Sequence, residues 1–259
     1  SLHAYGASVR EMSATVANRE QVDDTALIFM HVPKTGGTTL HHIIESHFSR
    51  SESYATSMTG KHPNGSLDGF MALEPAQRAK LKLLSGHMGF GLHEYLPRPA
   101  VYVAFLRDPV DRVLSQFSFE HQEPQSYVYE QLRSGEMGLK EYLYYYEKAA
   151  DMDNLQTRMI AGNWHKRGNG PCTEEMLGTA KRNLREHFAV VGITERFDES
   201  YLLCKRAFGW AHTFYIRHNP SRKRLRQAEL SAEITHTSDS SRVASIPVGS
   251  WIPARPSTT

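Results

Sequence analysis

The stretch "TALIFMHVPKTGGTT", residues 25–39, decides the fold class. Its first half is short, apolar and bounded by turn-forming residues, which is typical of a buried strand in a parallel sheet. Its second half places a lysine ahead of two glycines and three threonines. Apolar residues then recur at helical spacing from Leu40 to Phe48. We therefore expect a strand at 25–32 and a helix at about 38–48, with the threonines as N-cap.

The same alternation of strand and helix continues along the chain. A second apolar run, "AVYVAFL" (100–106), predicts a strand that ends directly in "RDP", where proline can open a helix. The remaining expected elements are a helix at 110–119, mostly helical structure at 125–161, a helix at 173–187, a strand at 188–193, a helix at 198–210 and a long loop at 50–70. Strands separated by helices predict an α/β fold with a central parallel sheet flanked by helices.

Length and composition limit what this fold can contain. The chain of 259 residues is 40% hydrophobic and 22% charged, enough for one large domain, which we place at 25–226. Residues 1–24 form a polar lead-in, and residues 227–259 form a Ser/Thr/Pro-rich tail. The net charge of +2 balances 30 basic against 28 acidic residues, so we expect no nucleic-acid partner.

Other targeting and metal signals are weak. No apolar run approaches the roughly 18 residues of a transmembrane helix, so we expect no membrane span. Cys172 and Cys204 are too few for a zinc site or a disulfide framework, and we interpret them as ordinary thiols. We expect no metal ion. These features favour the bacterial cytosol, with the Golgi lumen as the alternative if an N-terminal anchor was removed.

The turn after the first strand has the composition of an anion site. A Gly-rich turn that opens a helix directs several backbone N–H groups to one point, with the positive end of the helix dipole behind them. Glycines allow close approach of the backbone, a lysine adds charge, and threonines add hydroxyl donors. The residues of this predicted site are Lys34, Thr35, Gly36, Gly37, Thr38 and Thr39.

The order of residues argues against a triphosphate loop. That loop needs G-x-x-x-x-G-K-[ST], with the lysine after the last glycine, whereas Lys34 precedes Gly36 and Gly37. Asp108 is the only strand-end aspartate that could hold magnesium, and it lies between Arg107 and Pro109. A metal-dependent kinase is therefore disfavoured, although a nucleotide-dependent small-molecule kinase stays as an alternative.

A second strand-to-helix junction, "FLRDPVDRVLSQF", adds a second basic group. Arg107 ends the predicted strand, and Ser115 follows about two helical turns later, where its hydroxyl can face the same anion. Arg112 lies on the same helix. Taken singly, each residue has an ordinary structural explanation. Two anion-binding junctions in one sheet predict a ligand with two separated phosphate-like groups.

At this point the sequence resembles a known family. "HVPKTGGTTL" and "RDPVDRVLSQF" are similar to the 5′-phosphosulfate and 3′-phosphate motifs of sulfotransferases that use 3′-phosphoadenosine 5′-phosphosulfate (PAPS). The resemblance is to the branch with the heparan sulfate 2-O- and 6-O-sulfotransferases and related bacterial enzymes. It covers roughly residues 25–226 and includes 85–97, 153–162 and 190–210. It implies a sulfotransferase fold like that of P-loop NTPases, with adenosine 3′,5′-bisphosphate (PAP) as product and no metal.

The resemblance implies roles for individual residues. Lys34 and the loop after it would hold the 5′-phosphosulfate, and Lys34 would stabilise charge on the bridging oxygen as the bond to sulfur breaks. Arg107 and Ser115 would bind the 3′-phosphate. A late basic loop, "RHNPSRKRLR" (217–226), would close over the nucleotide. Its candidate residues are Ser221, Arg222 and Arg224.

A histidine is the implied base for the attacking hydroxyl. His87, in "SGHMGF", has the position of the base in the glycosaminoglycan branch, and histidine titrates near neutral pH. His93 is the alternative base, and Glu94 could orient or replace it. Asn154 and Arg158 could support the site, although capping and ion pairing explain them better.

The acceptor is the open part of this interpretation. The resemblance favours a saccharide hydroxyl, and a carrier-bound acyl or lipid hydroxyl is the alternative. The loop at 50–70 and the tyrosines at 142–146 could line an acceptor site, although core packing is the simpler explanation of the tyrosines. A catalytically silent nucleotide- or glycan-binding module is a further alternative to an enzyme.

Overall fold

The fold is a three-layer α/β structure, seen in a computed structural model that describes residues 24–56, 65–148, 153–162 and 171–210. Five strands form one sheet: β1 (Ala26–Met30), β2 (Ser53–Thr56), β3 (Leu83–Gly86), β4 (Ala100–Leu106) and β5 (Phe188–Ile193). Their order is β2-β3-β1-β4-β5, and every neighbouring pair is parallel. The predicted fold class is confirmed.

The helices follow in chain order. They are α1 (Gly37–Glu45), α2 (Leu67–Met71), α3 (Pro75–Arg78), α4 (Pro109–Glu120), α5 (Tyr129–Ser134), α6 (Leu139–Lys148), α7 (Leu155–Ile160), α8 (Glu174–His187) and α9 (Phe197–Phe208). Short 3-10 turns lie at Arg50–Glu52, Leu92–Tyr95 and Thr194–Arg196. The predicted strands at 100–106 and 188–193 are confirmed to the residue, and the predicted helices lie within a few residues of those observed.

The two faces of the sheet are buried against different helices. On one face, Ile28, Tyr102 and Phe188 pack with apolar residues of α7 and α8. On the other, Phe29 and Val103 pack with apolar residues of α1 and α9. Because both faces are covered, the central strand β1 is apolar throughout, and all five of its residues are buried. The apolar run that opened the sequence is therefore the centre of the core.

A separate apolar cluster joins α4, α5 and α6. Phe117 of α4, Leu132 of α5 and Tyr142 of α6 are all buried in it. The side chain of Tyr142 is inaccessible to solvent, whereas Tyr144 and Tyr145 are exposed. Core packing thus explains Tyr142, as the simpler interpretation of the tyrosine run predicted.

Two predictions about local structure were wrong, and one strand was missed. Residues 50–70 are not one long loop, because β2 and α2 lie within this range, and residues 57–64 are outside the described part. Strand β3 was not predicted. The N-cap of α1 is Gly36 and not a threonine. Strands β2 and β3 are only four residues long and partly polar, so their periodicity could not identify them.

The sheet order creates a crevice at the carboxyl ends of the strands. From β1 the chain builds β3 and β2 on one side and then crosses to β4 and β5 on the other. Ligands of open parallel sheets bind where the order reverses in this way. The segments that follow β1, β3, β4 and β5 therefore meet at one edge of the sheet.

Candidate active site

The loop between β1 and α1 is shaped by two left-handed residues. Lys34 has φ of 68° and Gly36 has φ of 76°. Lys34 is not a glycine, so its conformation carries backbone strain of a kind that clusters at functional sites. Thr35 is buried and donates its hydroxyl hydrogen to the carbonyl oxygen of Val32 over 2.8 Å. The chain therefore turns tightly back on itself just before α1.

The first turn of α1 carries no side-chain cap. Gly36 is the N-cap, and because glycine has no side chain it makes no side-chain capping bond. Gly36 and Thr38 are exposed, whereas Thr39 is buried. Uncapped N–H groups at a helix N-terminus attract an anion. The predicted loop residues are thus together at one helix entrance.

The side chain of Lys34 lies among cations and one carboxylate. Its Nζ is 3.8 Å from the centroid of the Phe119 ring, at the end of α4. Burial, and next the charge of Arg107, lower the pKa of Lys34 to about 8, while Glu120 acts in the opposite direction. The ammonium is therefore poorly solvated, and a bound anion would relieve this cost.

Arg107 connects the second motif to the first. Its Nη1 donates to the carbonyl oxygen of Lys34 over 2.8 Å. Its backbone exchanges two hydrogen bonds with the Gln156 side chain on α7, each of 2.9 Å. Arg107 is buried, and its Nε lies 3.7 Å from a carboxylate oxygen of Glu195. The guanidinium thus lies beneath the loop that carries the lysine.

Helix α4 carries the other residues of the second motif. Asp108 is its N-cap and accepts hydrogen bonds from the backbone N–H groups of Val110 and Asp111. Ser115 and Arg112 are both buried on this helix. Burial lowers the pKa of Arg112 to about 10. Asp108 therefore has a structural role in starting the helix, and Arg112 and Ser115 lie on the buried side of that helix.

Thr194 was not among the predicted site residues. It follows β5, and its hydroxyl lies 2.7 Å from the carbonyl oxygen of Thr35 and 2.9 Å from that of Leu106. One hydroxyl therefore joins the end of β5 to the loops after β1 and β4. Threonine is common after strands, so the sequence alone gives no signal. Only the position of Thr194 beside the other two strand ends reveals that it links their loops. Gln156, which holds Arg107, was missed for the same reason.

His87 lies at the same edge, just after β3. Its Nδ1 is 2.6 Å from the carbonyl oxygen of His31, so Nδ1 must carry the hydrogen, and the lone pair of a neutral ring lies on Nε2. The rings of His31 and His87 stack with centroids 4.4 Å apart. Burial lowers the pKa of His87, which keeps its ring neutral near pH 7. His87 is thus a neutral histidine bonded to the segment that leads to Lys34.

His93 lies in a different part of the molecule. Its Nδ1 is 3.0 Å from the hydroxyl oxygen of Tyr102, and its ring is 4.8 Å from that of His187. His187 directly precedes β5, whereas the loop residues follow their strands. The structure therefore does not bring His93, or its exposed neighbour Glu94, to the lysine loop.

Asn154 and Arg158 have structural contacts. Arg158 forms an ion pair with Asp153, and its Nε donates to the Asp153 carbonyl oxygen over 2.8 Å. Asn154 is the N-cap of α7 but makes no side-chain capping bond. The ion-pair interpretation of Arg158 agrees with this geometry. The late basic residues Ser221, Arg222 and Arg224 lie outside the described residues, as do the lead-in up to residue 23 and the tail at 227–259.

Metal and membrane signals can be assessed for the described ranges only. Within them, no group of three or more His, Cys, Asp or Glu side chains is arranged to hold a metal ion. No helix there is long and apolar enough to span a bilayer. Cys172 and Cys204 are both free thiols, as predicted.

Comparison with known proteins decides the family. The model of the galactose-3-O-sulfotransferase family matches residues 2–244. The chain belongs to the galactose-3-O-sulfotransferase family. The resemblance to sulfotransferases is therefore confirmed, and the galactose-3-O-sulfotransferase family is the branch whose model matches.

Individual relatives agree with this family. Galactose-3-O-sulfotransferase 3 of Mus musculus is 27% identical over 198 residues, covering 71% of this chain and 45% of that protein. The Homo sapiens protein of the same name is 27% identical over 195 residues, covering 70% and 44%. A protein-tyrosine sulfotransferase of Arabidopsis thaliana is 35% identical over 95 residues, covering 36% and 17%. The chain spans less than half the length of the curated relatives it matches.

A solved structure is also similar to this galactose-3-O-sulfotransferase family member. It is the mouse sulfotransferase SULT7A1 complexed with PAP, at a TM-score of 0.40 and 15% identity, covering 91% of this chain and 72% of that one. A likeness of this size carries no argument about the site. The fold class rests on the sheet itself, and the site rests on its own geometry.

Proposed function

We propose that this chain transfers a sulfuryl group from PAPS to a hydroxyl group of a saccharide, with His87 as the base. The observation that carries the proposal is the 2.6 Å hydrogen bond from His87 Nδ1 to the His31 carbonyl oxygen. It leaves the Nε2 lone pair to accept a proton, and it joins the histidine to the segment that presents Lys34. The base is thus bonded to the segment that carries the cation. This arrangement suits attack of a hydroxyl oxygen on one side of the sulfur atom, near His87, and departure of the phosphate oxygen on the other side, near Lys34.

The residues fit a donor with phosphate groups at both ends of its ribose. The helix N-terminus that opens at Gly36 and the exposed Thr38 side chain suit the 5′-phosphosulfate. Arg107 and Ser115 are both buried, and the guanidinium of the first and the hydroxyl of the second suit the 3′-phosphate. The lowered pKa of Lys34 supports an anion site beside it, because a bound anion would stabilise the charged form.

The proposed step balances without a metal or a redox partner. His87 Nε2 takes the proton of the acceptor hydroxyl as its oxygen forms a bond to sulfur. The bond between sulfur and the bridging oxygen breaks, and the electron pair stays on the 5′-phosphate of PAP. Lys34 stabilises the charge that develops on that oxygen. The products are a sulfate ester, PAP and a proton carried by His87.

The names of the relatives suggest the acceptor. Two are galactose-3-O-sulfotransferases and one is a protein-tyrosine sulfotransferase. The galactose match covers about twice as much of this chain, which favours a galactoside hydroxyl over a tyrosine hydroxyl. A carrier-bound acyl or lipid hydroxyl remains to be compared in the same assay. The compartment, including the bacterial cytosol suggested by the sequence, stays a prediction.

The donor class is tested by thermal shift. PAP, ATP and AMP are added separately to the purified chain, and we expect PAP alone to raise the melting temperature. The shift should persist in EDTA, since no step requires a metal. Stabilisation by ATP with magnesium, and none by PAP, would instead support the small-molecule kinase.

Transfer is tested with sulfur-labelled PAPS and a panel of hydroxyl acceptors. The panel contains a galactoside, a tyrosine peptide, a lipid alcohol and a carrier-bound acyl chain. We expect label on the galactoside. Tight PAP binding with no transfer to any acceptor would support the catalytically silent module and overturn the proposed activity.

A further inference from the structure

His31 contacts the proposed base in two ways. Its carbonyl oxygen accepts the hydrogen of His87 Nδ1, and its ring stacks on the His87 ring at 4.4 Å and an interplanar angle of 30°. The His31 ring also lies nearly parallel to the Phe29 ring, with centroids 5.5 Å apart. The carbonyl fixes which nitrogen of His87 carries hydrogen. The stack fixes the plane in which the ring lies.

The edge of the His31 ring lies against the start of α1. A Cβ added to Gly37 would lie 2.0 Å from Cδ2 and 2.2 Å from Nε2 of His31. Real Cβ atoms essentially never come this close, so glycine is what allows the ring to occupy this place. The imidazole of His31 therefore fills the space between His87 and the first residue of the helix that faces the donor.

We propose that the His31 side chain is a positioning residue that holds the His87 ring in a fixed orientation relative to the phosphosulfate loop. This inference rests on the function proposed above and adds a residue to it. His31 takes no proton from the acceptor and needs no contact with the donor. It acts through the stack on His87 and through the contact with Gly37.

The charges around His31 indicate that its ring works in the neutral form. His87, His41 and Lys34 face it from the segments after β3, within α1 and after β1. His41 in turn lies 3.2 Å from a carboxylate oxygen of Glu45, and its Nε2 is 2.9 Å from the Ser85 hydroxyl oxygen. Burial, and next the neighbouring His87, lower the pKa of His31 well below its ordinary value. We therefore expect that an uncharged aromatic ring at position 31 can take over the positioning role of the imidazole.

The first test compares His31→Phe with His31→Ala in the transfer assay. Phenylalanine keeps an aromatic stack and removes the titratable group, whereas alanine removes the stack. We expect His31→Ala to lower kcat by roughly 100-fold, with the Kd for PAP and the KM for PAPS changed less than about threefold. His31→Phe should retain kcat within about tenfold of the unchanged chain. His47→Ala, which removes an imidazole stacked on Trp210 at 4.8 Å, is the matched control.

The second test needs neither donor nor acceptor. Nitrogen chemical shifts of His87 report which ring nitrogen carries hydrogen. We expect a single neutral form with hydrogen on Nδ1 in the unchanged chain and in His31→Phe. In His31→Ala we expect a mixture of both neutral forms, because a His87 ring that can rotate out of its plane loses its hydrogen bond to the carbonyl oxygen of residue 31. This readout tests the stack even if the transfer proposal fails.

Three results would overturn the inference. The first is unchanged kcat and unchanged His87 shifts in His31→Ala. The second is a loss of PAP affinity in His31→Ala as large as the loss of kcat, which would mean that the ring supports only the donor loop. The third is a His31→Phe protein that folds and binds PAP but is as inactive as His31→Ala. Full transfer by His87→Gln would instead overturn the base itself, and with it the function on which this inference rests.

Discussion

Arg107 donates a hydrogen bond from Nη1 to the backbone carbonyl oxygen of Lys34 over 2.8 Å. The residue that directly follows β4 is thus fixed to the residue that gives the loop after β1 its charge. A nucleotide that contacts both loops would meet Arg107 and Lys34 already fixed relative to each other. This arrangement reduces the ordering that binding requires.

Replacing Arg107 should weaken the binding of PAP. Lysine cannot reproduce the planar donor set of arginine, so Arg107→Lys should lose a charged hydrogen bond worth about 1.5–3 kcal/mol, or roughly 10–100-fold in the Kd for PAP. Calorimetric titration with PAP measures this. Arg98→Lys is the control, since Arg98 also donates to a carbonyl oxygen, that of Ala79, away from the loop. Equal affinity in both variants would contradict the role of Arg107.

Removing the base should stop transfer without preventing PAP binding. We expect His87→Gln to lower kcat by about 10²–10⁴-fold, the usual contribution of a positioned base, while PAP still raises the melting temperature. His93→Gln is the matched control, because His93 contacts Tyr102 and His187 and not the lysine loop. If His93→Gln lost transfer and His87→Gln kept it, the two histidines would exchange roles.

Lys34 should have opposite effects on activity and stability as pH rises. Its pKa is lowered from 10.5 to about 8, so kcat/KM for PAPS should fall above about pH 8 as the ammonium loses its proton. Between about pH 8 and 10.5 the unfolded chain binds the proton more tightly than the folded chain, so the contribution of Lys34 to the free energy of unfolding rises with pH.

The variant Lys34→Met separates these two effects. It should abolish transfer and raise the melting temperature at pH 7, by roughly 2–4 °C for each kcal/mol gained. The stability difference from the unchanged chain should shrink towards pH 10.5, which denaturation across that range would measure. A lower melting temperature in Lys34→Met at pH 7 would contradict the expected cost of burying the ammonium.

The two glycines of the loop should differ in sensitivity. Gly36→Ala adds strain of about 1–2 kcal/mol because φ is 76°, but its Cβ would meet Phe197 and Thr194 at ordinary distances of 3.5 Å or more. Gly37→Ala would force its Cβ into the His31 ring. We expect Gly37→Ala to lower kcat more than Gly36→Ala. Each variant is assayed at the same number of degrees below its own melting temperature. The reverse order would contradict the packing of His31 on α1.

Thr194 should contribute to both stability and the loop. Thr194→Val keeps the shape and removes the hydroxyl shared by the Thr35 and Leu106 carbonyl oxygens. We expect a loss of about 1 kcal/mol in the free energy of unfolding and weaker PAP binding. Thr179→Val on α8 is the control, because the Thr179 hydroxyl accepts a bond from exposed Arg182. Equal effects in the two variants would contradict a linking role for Thr194.

The sequence by itself determined the elements with strong periodicity and the two strand ends that carry the basic motifs. β1, β4 and β5 could be predicted because each is a short continuous apolar run, as strands of a covered parallel sheet usually are. Lys34, Arg107 and Ser115 could be singled out because charged and hydroxyl residues at a strand-to-helix junction indicate an anion site, and each junction lies within one short segment of the chain. The order of residues in the loop also indicated a sulfotransferase and not a triphosphate enzyme.

Only the tertiary structure decided which distant residues meet. The contact of His31 with His87, and those of Thr194 with two loops, depend on the strand order β2-β3-β1-β4-β5. Parallel pairing brings segments far apart in the chain to one edge of the sheet, and no local pattern encodes that order. The same pairing separates His93 from the lysine loop, although it is only six residues from His87. Distance along the chain cannot reveal this separation, because two residues only six positions apart can lie at different parts of the sheet.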